Sequence, residues 1–221
     1  MAEYNLQSEK GINKFEIYNG RNIEQMPKLI ADNRIPMSVA GLMQRRLELR
    51  DSDDASVRDF YMNNYFDTVD GALYMPDGNL VLVYDAKVLR EMTPESKLVG
   101  GALNLEGFNT DDIEDRTYFN KQELEKMILG EDLTLRQARN HPVWFALARG
   151  DKNLQGAYAE MIFKDNDYCS AMGIYLDSSL NIFKMRALYV YGADGRSDAF
   201  GGGHIDNVDG RLVGLASETQ E

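Results

Sequence analysis

Residues Ala72 to Asp85 read ALYMPDGNLVLVYD. Two apolar runs flank Pro76-Asp77-Gly78-Asn79. Proline fixes the entry to a turn, glycine supplies backbone freedom, and Asp and Asn bond back to the main chain. The spacing predicts a β-hairpin and therefore an antiparallel sheet.

The same grammar recurs to either side. Lys14 to Tyr18 alternates polar and apolar residues, and Asn19-Gly20 ends it as a short strand. A strand is expected around Leu98 to Leu105. Towards the C-terminus, Met172 to Leu176 and Ile182 to Tyr191 read as strands around a turn at Asp177 to Asn181. The stretch IFKMRALYVY is rich in aromatic and β-branched residues, which suit a pleated surface. Arg211 to Ala216 is the final strand. Between these lie helical patterns. Asn22 caps a helix to about Ala31, with Pro27 weakening its middle. Ser38 caps a second, with Val39, Leu42, Met43 and Leu47 on one face and Arg45 and Arg46 off it. Asp54 to Asn64 is a third, striped by Val57, Phe60 and Tyr61.

Asn120 with Glu123 forms a capping box before Leu124, Met127 and Ile128. Thr134 opens a short helix, and Pro142 sits at the first position of another that carries Val143, Trp144 and Leu147. Asp151 caps the last, with Leu154, Ala157, Tyr158, Met161 and Ile162 as its apolar stripe. Strands in hairpins and helices in runs indicate an α+β fold, with a mainly antiparallel sheet built from hairpins and packed against several amphipathic helices. The expected organisation is one domain over residues 14–216, with a polar N-terminal tail over 1–13 and a C-terminal tail over 217–221. Gly107 to Arg116 is acidic and irregular.

The chain has 221 residues, of which 43% are hydrophobic and 27% charged, a balance that can bury a full core. Its net charge is −12, from 36 acidic and 24 basic residues. An acidic surface repels phosphate backbones, which argues against nucleic-acid binding. One cysteine excludes an intrachain disulfide. The longest strongly apolar run, Val143 to Ala148, is far too short to span a bilayer. The first fifteen residues lack the apolar centre of a signal peptide. These features lead to the expectation of a soluble, cytoplasmic, acidic protein with no membrane association.

Structural zinc needs four Cys or His ligands, and the chain has one Cys and two His, so no metal site is expected. No Walker A sequence is present, no glycine fingerprint leads from a strand into a helix, and no nucleophile elbow occurs, so no cofactor is expected. Asp206 to Gly210 (DNVDG) lacks the alternating carboxylates of a calcium loop and reads as a turn. Asp67 to Leu73 (DTVDGAL) places two residues between its aspartates. The pair in haloacid-dehalogenase-type phosphatases has one, so Asp70-Gly71 reads as a turn into the hairpin. Cys169, beside a strand, reads as buried packing rather than a nucleophile activated by His141 or His204.

The remaining candidate is Asp198 to Gly214, DAFGGGHIDNVDGRLVG. It reads as a surface loop leading into the last strand, with Asp209-Gly210 as the turn. Histidine changes charge near neutral pH, so His204 is a candidate base, with Asp206 or Asp70 as its partner. Gly202 and Gly203 are candidate ligand contacts. Arg186 alternates along its strand with apolar residues, as does Lys184, and is a candidate anion clamp. The missing catalytic motifs favour a binding or regulatory module that acts on an unknown protein or small-molecule ligand. The alternative is a hydrolase of an unfamiliar family, acting on a small anionic substrate with His204 as base.

Overall fold

The predicted hairpin lies at the centre of the sheet in the computed structural model, which describes residues 14–109, 113, 115–177 and 183–217. Along the chain, β1 (Phe15–Asn19), α1 (Asn22–Ala31) and β2 (Arg34–Pro36) lead to α2 (Val39–Leu49) and α3 (Ala55–Asn63). The hairpin of β3 (Phe66–Tyr74) and β4 (Leu80–Val83) follows, then α4 (Lys87–Arg90), β5 (Leu98–Val99), β6 (Ala102–Asn104) and β7 (Arg116–Phe119). Helices α5 (Lys121–Leu124), α6 (Leu135–Ala138), α7 (Pro142–Leu147) and α8 (Lys152–Asp165) come next. Strands β8 (Ile174–Tyr175), β9 (Lys184–Val190), β10 (Ala199–Phe200) and β11 (Arg211–Ala216) complete the described chain. The fold is α+β.

The large sheet runs β5-β6-β9-β3-β4-β7, with β10 joined to β9 and β8 joined to β10. Its pairings are antiparallel except β8 with β10. A smaller antiparallel sheet, β1-β11-β2, pairs the first described strand with the last, from Phe15 opposite Leu215 to Asn19 opposite Arg211. All nine residues of β3 are buried, because both faces of the sheet are covered. Phe66, Ala72, Leu80 and Leu82 face a core built with α2, α3, α7 and α8. Val69, Leu73, Val81 and Val83 alternate to the other side and meet α1 and α4. Several predicted helix starts are present. Ser38, Asp54, Asn120, Thr134 and Asp151 each accept a backbone N–H of the following turn.

The structure corrects several expectations. Asp70-Gly71 is not a turn but lies inside β3, with a register shift against β9 between Asp67 and Gly71. The Asp70 side chain is 0% exposed and its charge is met inside the fold. It accepts N–H from Val39 (2.8 Å) and Asp85 (3.1 Å) and pairs with the Arg149 guanidinium at 2.6 Å. Asn22 is the first residue of α1 rather than its cap, which is Arg21. Arg46, placed off the apolar face of α2, is 0% exposed. It donates to the carbonyls of Tyr61 and Asn64 and to the hydroxyls of Tyr158 and Ser197. Lys184 and Arg186 do not present a basic face for an anion. Both are buried against the Asp177 carboxylate, at 2.7 and 2.8 Å. Cys169 is exposed, not packed.

The sequence reading also missed β7 and β10, the first inside and just beyond a segment read as irregular. The helix expected to carry Leu124, Met127 and Ile128 stops after one turn. The expected tail over residues 1–13, most of the turn at Asp177 to Asn181, Ile182 and the last four residues fall outside the described residues.

The stripe of α8 is rotated from the expected one. Tyr158, Met161 and Ile162 are buried as expected, joined by Gln155, Ala159 and Phe163, whereas Leu154 is half-buried and Ala157 exposed. Gln155 replaces Leu154 at the centre because its amide donates to the carbonyls of Ala138 (2.8 Å) and His141 (3.1 Å), joining α6, α7 and α8. Ile162→Ala should therefore cost about 2–5 kcal/mol in urea unfolding, and Leu154→Ala about 1 kcal/mol. Equal losses at the two positions would contradict this packing.

Candidate functional site

The three glycines ahead of His204 are explained by what lies against them. A Cβ on Gly201 would come within 2.4 Å of the Tyr74 hydroxyl, and one on Gly203 within 2.6 Å of the Tyr189 ring. Side chains at these positions would push the loop off the sheet. Gly202 has open space beside it. The Arg186 guanidinium then ties the loop down. It donates to the Gly203 carbonyl (2.9 Å) and the Gly100 carbonyl (2.7 Å) while Nε bonds Asp177. Buried Ile205 is a second anchor, with its N–H on the Gly101 carbonyl and its carbonyl on the Ile23 N–H. Two successive turns follow, from the His204 carbonyl to Asn207 N–H and from the Asn207 carbonyl to Gly210 N–H.

Held in this way, the loop walls a pocket of about 200 Å³. Tyr65 and Asp67, at the start of β3, form one side, and Tyr189 and Tyr191, on and just beyond β9, form another. Gly203, His204, Asn207 and Gly210 complete it. The register places Asp67 directly opposite Tyr189, which is why the carboxylate and the rings converge. The rings of Tyr65, Tyr189 and Tyr191 stand edge to face at 5.7–6.0 Å from one another. Behind them Tyr189 stacks on Phe200 at 5.0 Å, and Phe200 on Tyr175 at 4.6 Å. Tyr65 is steadied by its hydroxyl on the Asp209 carbonyl. Tyr191 is 38% exposed and stands furthest into solvent.

Asp67 is 8% exposed, and its Oδ2 accepts the Arg211 N–H at 2.8 Å. Burial pushes its carboxyl up to about 6, against the lowering effects of the Arg211 N–H, the Asn22 side chain and the Arg211 charge. Burial likewise raises the Tyr189 hydroxyl, with Tyr191 and Asp67 adding to the effect. Burial also raises Asp198, at the start of the loop segment, to about 6.

Of the residues singled out from sequence, the structure brings His204 and Gly203 to this pocket. The His204 side chain is 60% exposed, and its Nδ1 lies 3.8 Å from Asp206 Oδ1. Asp70 and Arg186 do not join it, since their polar atoms are engaged with Val39, Asp85 and Arg149 and with Asp177, Gly100 and Gly203. The other histidine, His141, is buried at the start of α7. It accepts the Val143 N–H, and burial lowers its basicity. No group of three or more His, Cys, Asp or Glu side chains is gathered as a metal site among the described residues. No described helix is long and apolar enough to cross a membrane.

Sequence reasoning missed Tyr65, Asp67, Tyr189 and Tyr191 as a group. The alternation in Ile182 to Tyr191 was visible, but its pairing with Asp67 was not. Other depressions are larger. An open groove of about 830 Å³ is lined by Arg136, Arg139 and Lys152, and an apolar one of about 470 Å³ by Leu80, Leu124 and Leu176. Neither contains a residue of the 198–210 segment.

No family model matches this chain, and no curated protein matches it. Among solved structures, it is similar to one described as "Accommodation of massive sequence variation in Nanoarchaeota by the C-type lectin fold". The TM-score is 0.68 at 17% identity, over 93% of this chain and 100% of that one. At that identity the likeness concerns the fold alone, and this chain shares the C-type lectin fold.

The raised Asp67 carboxyl sets a direction for stability against pH. Its folded pKa of about 6 exceeds the unfolded value of about 3.9, so between these pH values the folded chain holds a proton that the unfolded chain has lost. Stability from this group therefore rises as pH falls through 6 and is lost above it. From pH 7 to pH 5, wild type should gain about 1 kcal/mol more than Asp67→Asn in chemical unfolding. Parallel pH profiles for the two would refute the assignment.

Proposed function

We propose that this protein is a binding module and that it captures its ligand at the pocket walled by Tyr65, Tyr189, Tyr191 and the loop carrying His204. One observation carries the reading: partly exposed tyrosine rings and a buried carboxylate converge on one small concavity. Tyrosine offers large contact area with few rotatable bonds and a polar tip, so it contributes strongly to recognition at low entropic cost.

The surroundings support the same reading. The pocket rests on paired strands, and its one long loop is tied by Arg186 and Ile205, so little ordering remains when a ligand arrives. The C-type lectin fold seen in the Nanoarchaeota structure is described as accommodating massive sequence variation. We carry that idea to this chain in one respect. The groups that hold the fold, such as Asp70, Arg46 and Arg186, are buried, while the tyrosine rings and His204 at the pocket reach the surface. The hydrolase alternative keeps only part of its residue set: Asp206 lies 3.8 Å from His204, whereas Asp70 and Arg186 are bound up in the scaffold.

The test is selection of ligands from peptide and small-molecule arrays by wild type, followed by affinity measurement with variants. Tyr191→Ala should weaken a selected ligand by about tenfold or more and leave the unfolding midpoint unchanged. A ligand whose affinity is indifferent to both Tyr191→Ala and Tyr65→Ala would overturn the assignment of this pocket.

A further inference from the structure

We propose that the tyrosine-walled pocket recognises an ammonium group at the end of a flexible chain, as a lysine side chain presents it, methylated or not. The proposal rests on the binding-module reading above and names the chemistry of the same site.

Size comes first. Pockets for drug-sized molecules run to about 300–1,000 Å³. About 200 Å³ admits one side chain or head group and no more. Charge comes next. No Lys or Arg lines the pocket. Its ionisable groups are Asp67, His204 and the three tyrosines, so a cation meets a carboxylate and an anion meets no fixed positive charge. The rings add to this selection. An aromatic face carries partial negative charge and attracts a cation within about 6 Å of its centroid. Tyr65 already takes part in such a contact. The Arg211 guanidinium lies 5.5 Å from the Tyr65 centroid, 5.7 Å from Phe60 and 5.9 Å from Phe66, with its N–H groups on Asn19 and Asn64.

Asp67 is the third support. A buried carboxylate is costly unless fully compensated. Here the neighbouring donors and the Arg211 charge leave its carboxyl raised to about 6, so the negative charge is under-compensated in the free protein. A bound ammonium supplies the missing countercharge. The charged or titratable groups around Asp67 are Arg211 on β11, Tyr189 on β9 and Tyr191 beyond it, Tyr65 before β3, and His204 and Asp209 on the loop. Protonation of Asp67 removes the attraction, so affinity falls as pH drops from 7 to 5. A net charge of −12 draws cations towards the protein from a distance.

The experiment titrates the 221-residue chain, labelled with carbon-13 at tyrosine, with N-acetyl-lysine methylamide, its trimethylated form and the neutral norleucine analogue. Tyrosine ring resonances are the readout. Both cationic probes should shift the resonances of Tyr65, Tyr189 and Tyr191. Norleucine should bind about tenfold more weakly, and Asp67→Asn should remove most of that difference. Tyr191→Ala, at an exposed position, provides a second variant and should weaken the cationic probes while preserving the fold. Equal binding of lysine and norleucine probes, with both lost in Tyr191→Ala, would overturn the ammonium assignment and leave the binding pocket standing. Cationic probes that shift no tyrosine resonance would also overturn it. A ligand from the array selection that ignores Tyr191 and Tyr65 would remove the pocket reading itself.

Discussion

The buried carboxylate of Asp70 is the contact on which the arrangement depends. It sits in the middle of β3, the strand with neighbours on both sides and helices on both faces. A charge there is tolerable only if donors surround it. The Val39 N–H comes from the first turn of α2, where helix amides have no internal partner and the dipole favours negative charge. Asp85 N–H comes from the turn after β4, and the Arg149 guanidinium from the connection between α7 and α8, lying also over the Tyr84 ring at 4.1 Å. One side chain thus fixes α2, the hairpin partner and the helical layer against the central strand. Burial raises its carboxyl, and Arg149 opposes that rise.

Arg46 plays a comparable part for the helical layer. Its guanidinium is fully buried, and the bonds it makes run to two backbone carbonyls and two hydroxyls, joining α2 to the end of α3, to α8 and to the segment before β10. Arg186 works from β9, inside the sheet, joining it to Asp177 and to both Gly100 and Gly203. Each of these charges is removed from water and used to hold elements together. That leaves the pocket with Asp67, a buried carboxylate among rings that reach the surface.

Much of the scaffold was legible as local pattern. The PDGN turn, the caps at Ser38, Asp54 and Asp151, the capping box at Asn120, and the helix starts at Thr134 and Pro142 all depend on contacts within a few residues, and these the chain carries in its own order. The loop from Gly201 to Gly210 was legible for the same reason. Failures came where a residue's role is set by a distant partner. Arg46 looked like a solvated charge because its partners are 112 and 151 positions away at Tyr158 and Ser197. Asp70-Gly71 looked like a turn because the Arg149 and Val39 donors cannot be seen from within DTVDG.

The sequence by itself determined the α+β class, the antiparallel hairpin, most helix starts and the histidine loop, because turn chemistry, capping and periodicity act over short separations. Only the tertiary structure decided which charges are internal and where a ligand can sit. Asp67 and Tyr189 are far apart in the chain and become opposite members of a strand pair, and Gly203 then lets the loop close over the ring of Tyr189. A pocket of this kind is a product of strand register, which is set by the burial of whole strand faces and not by any residue within the pocket.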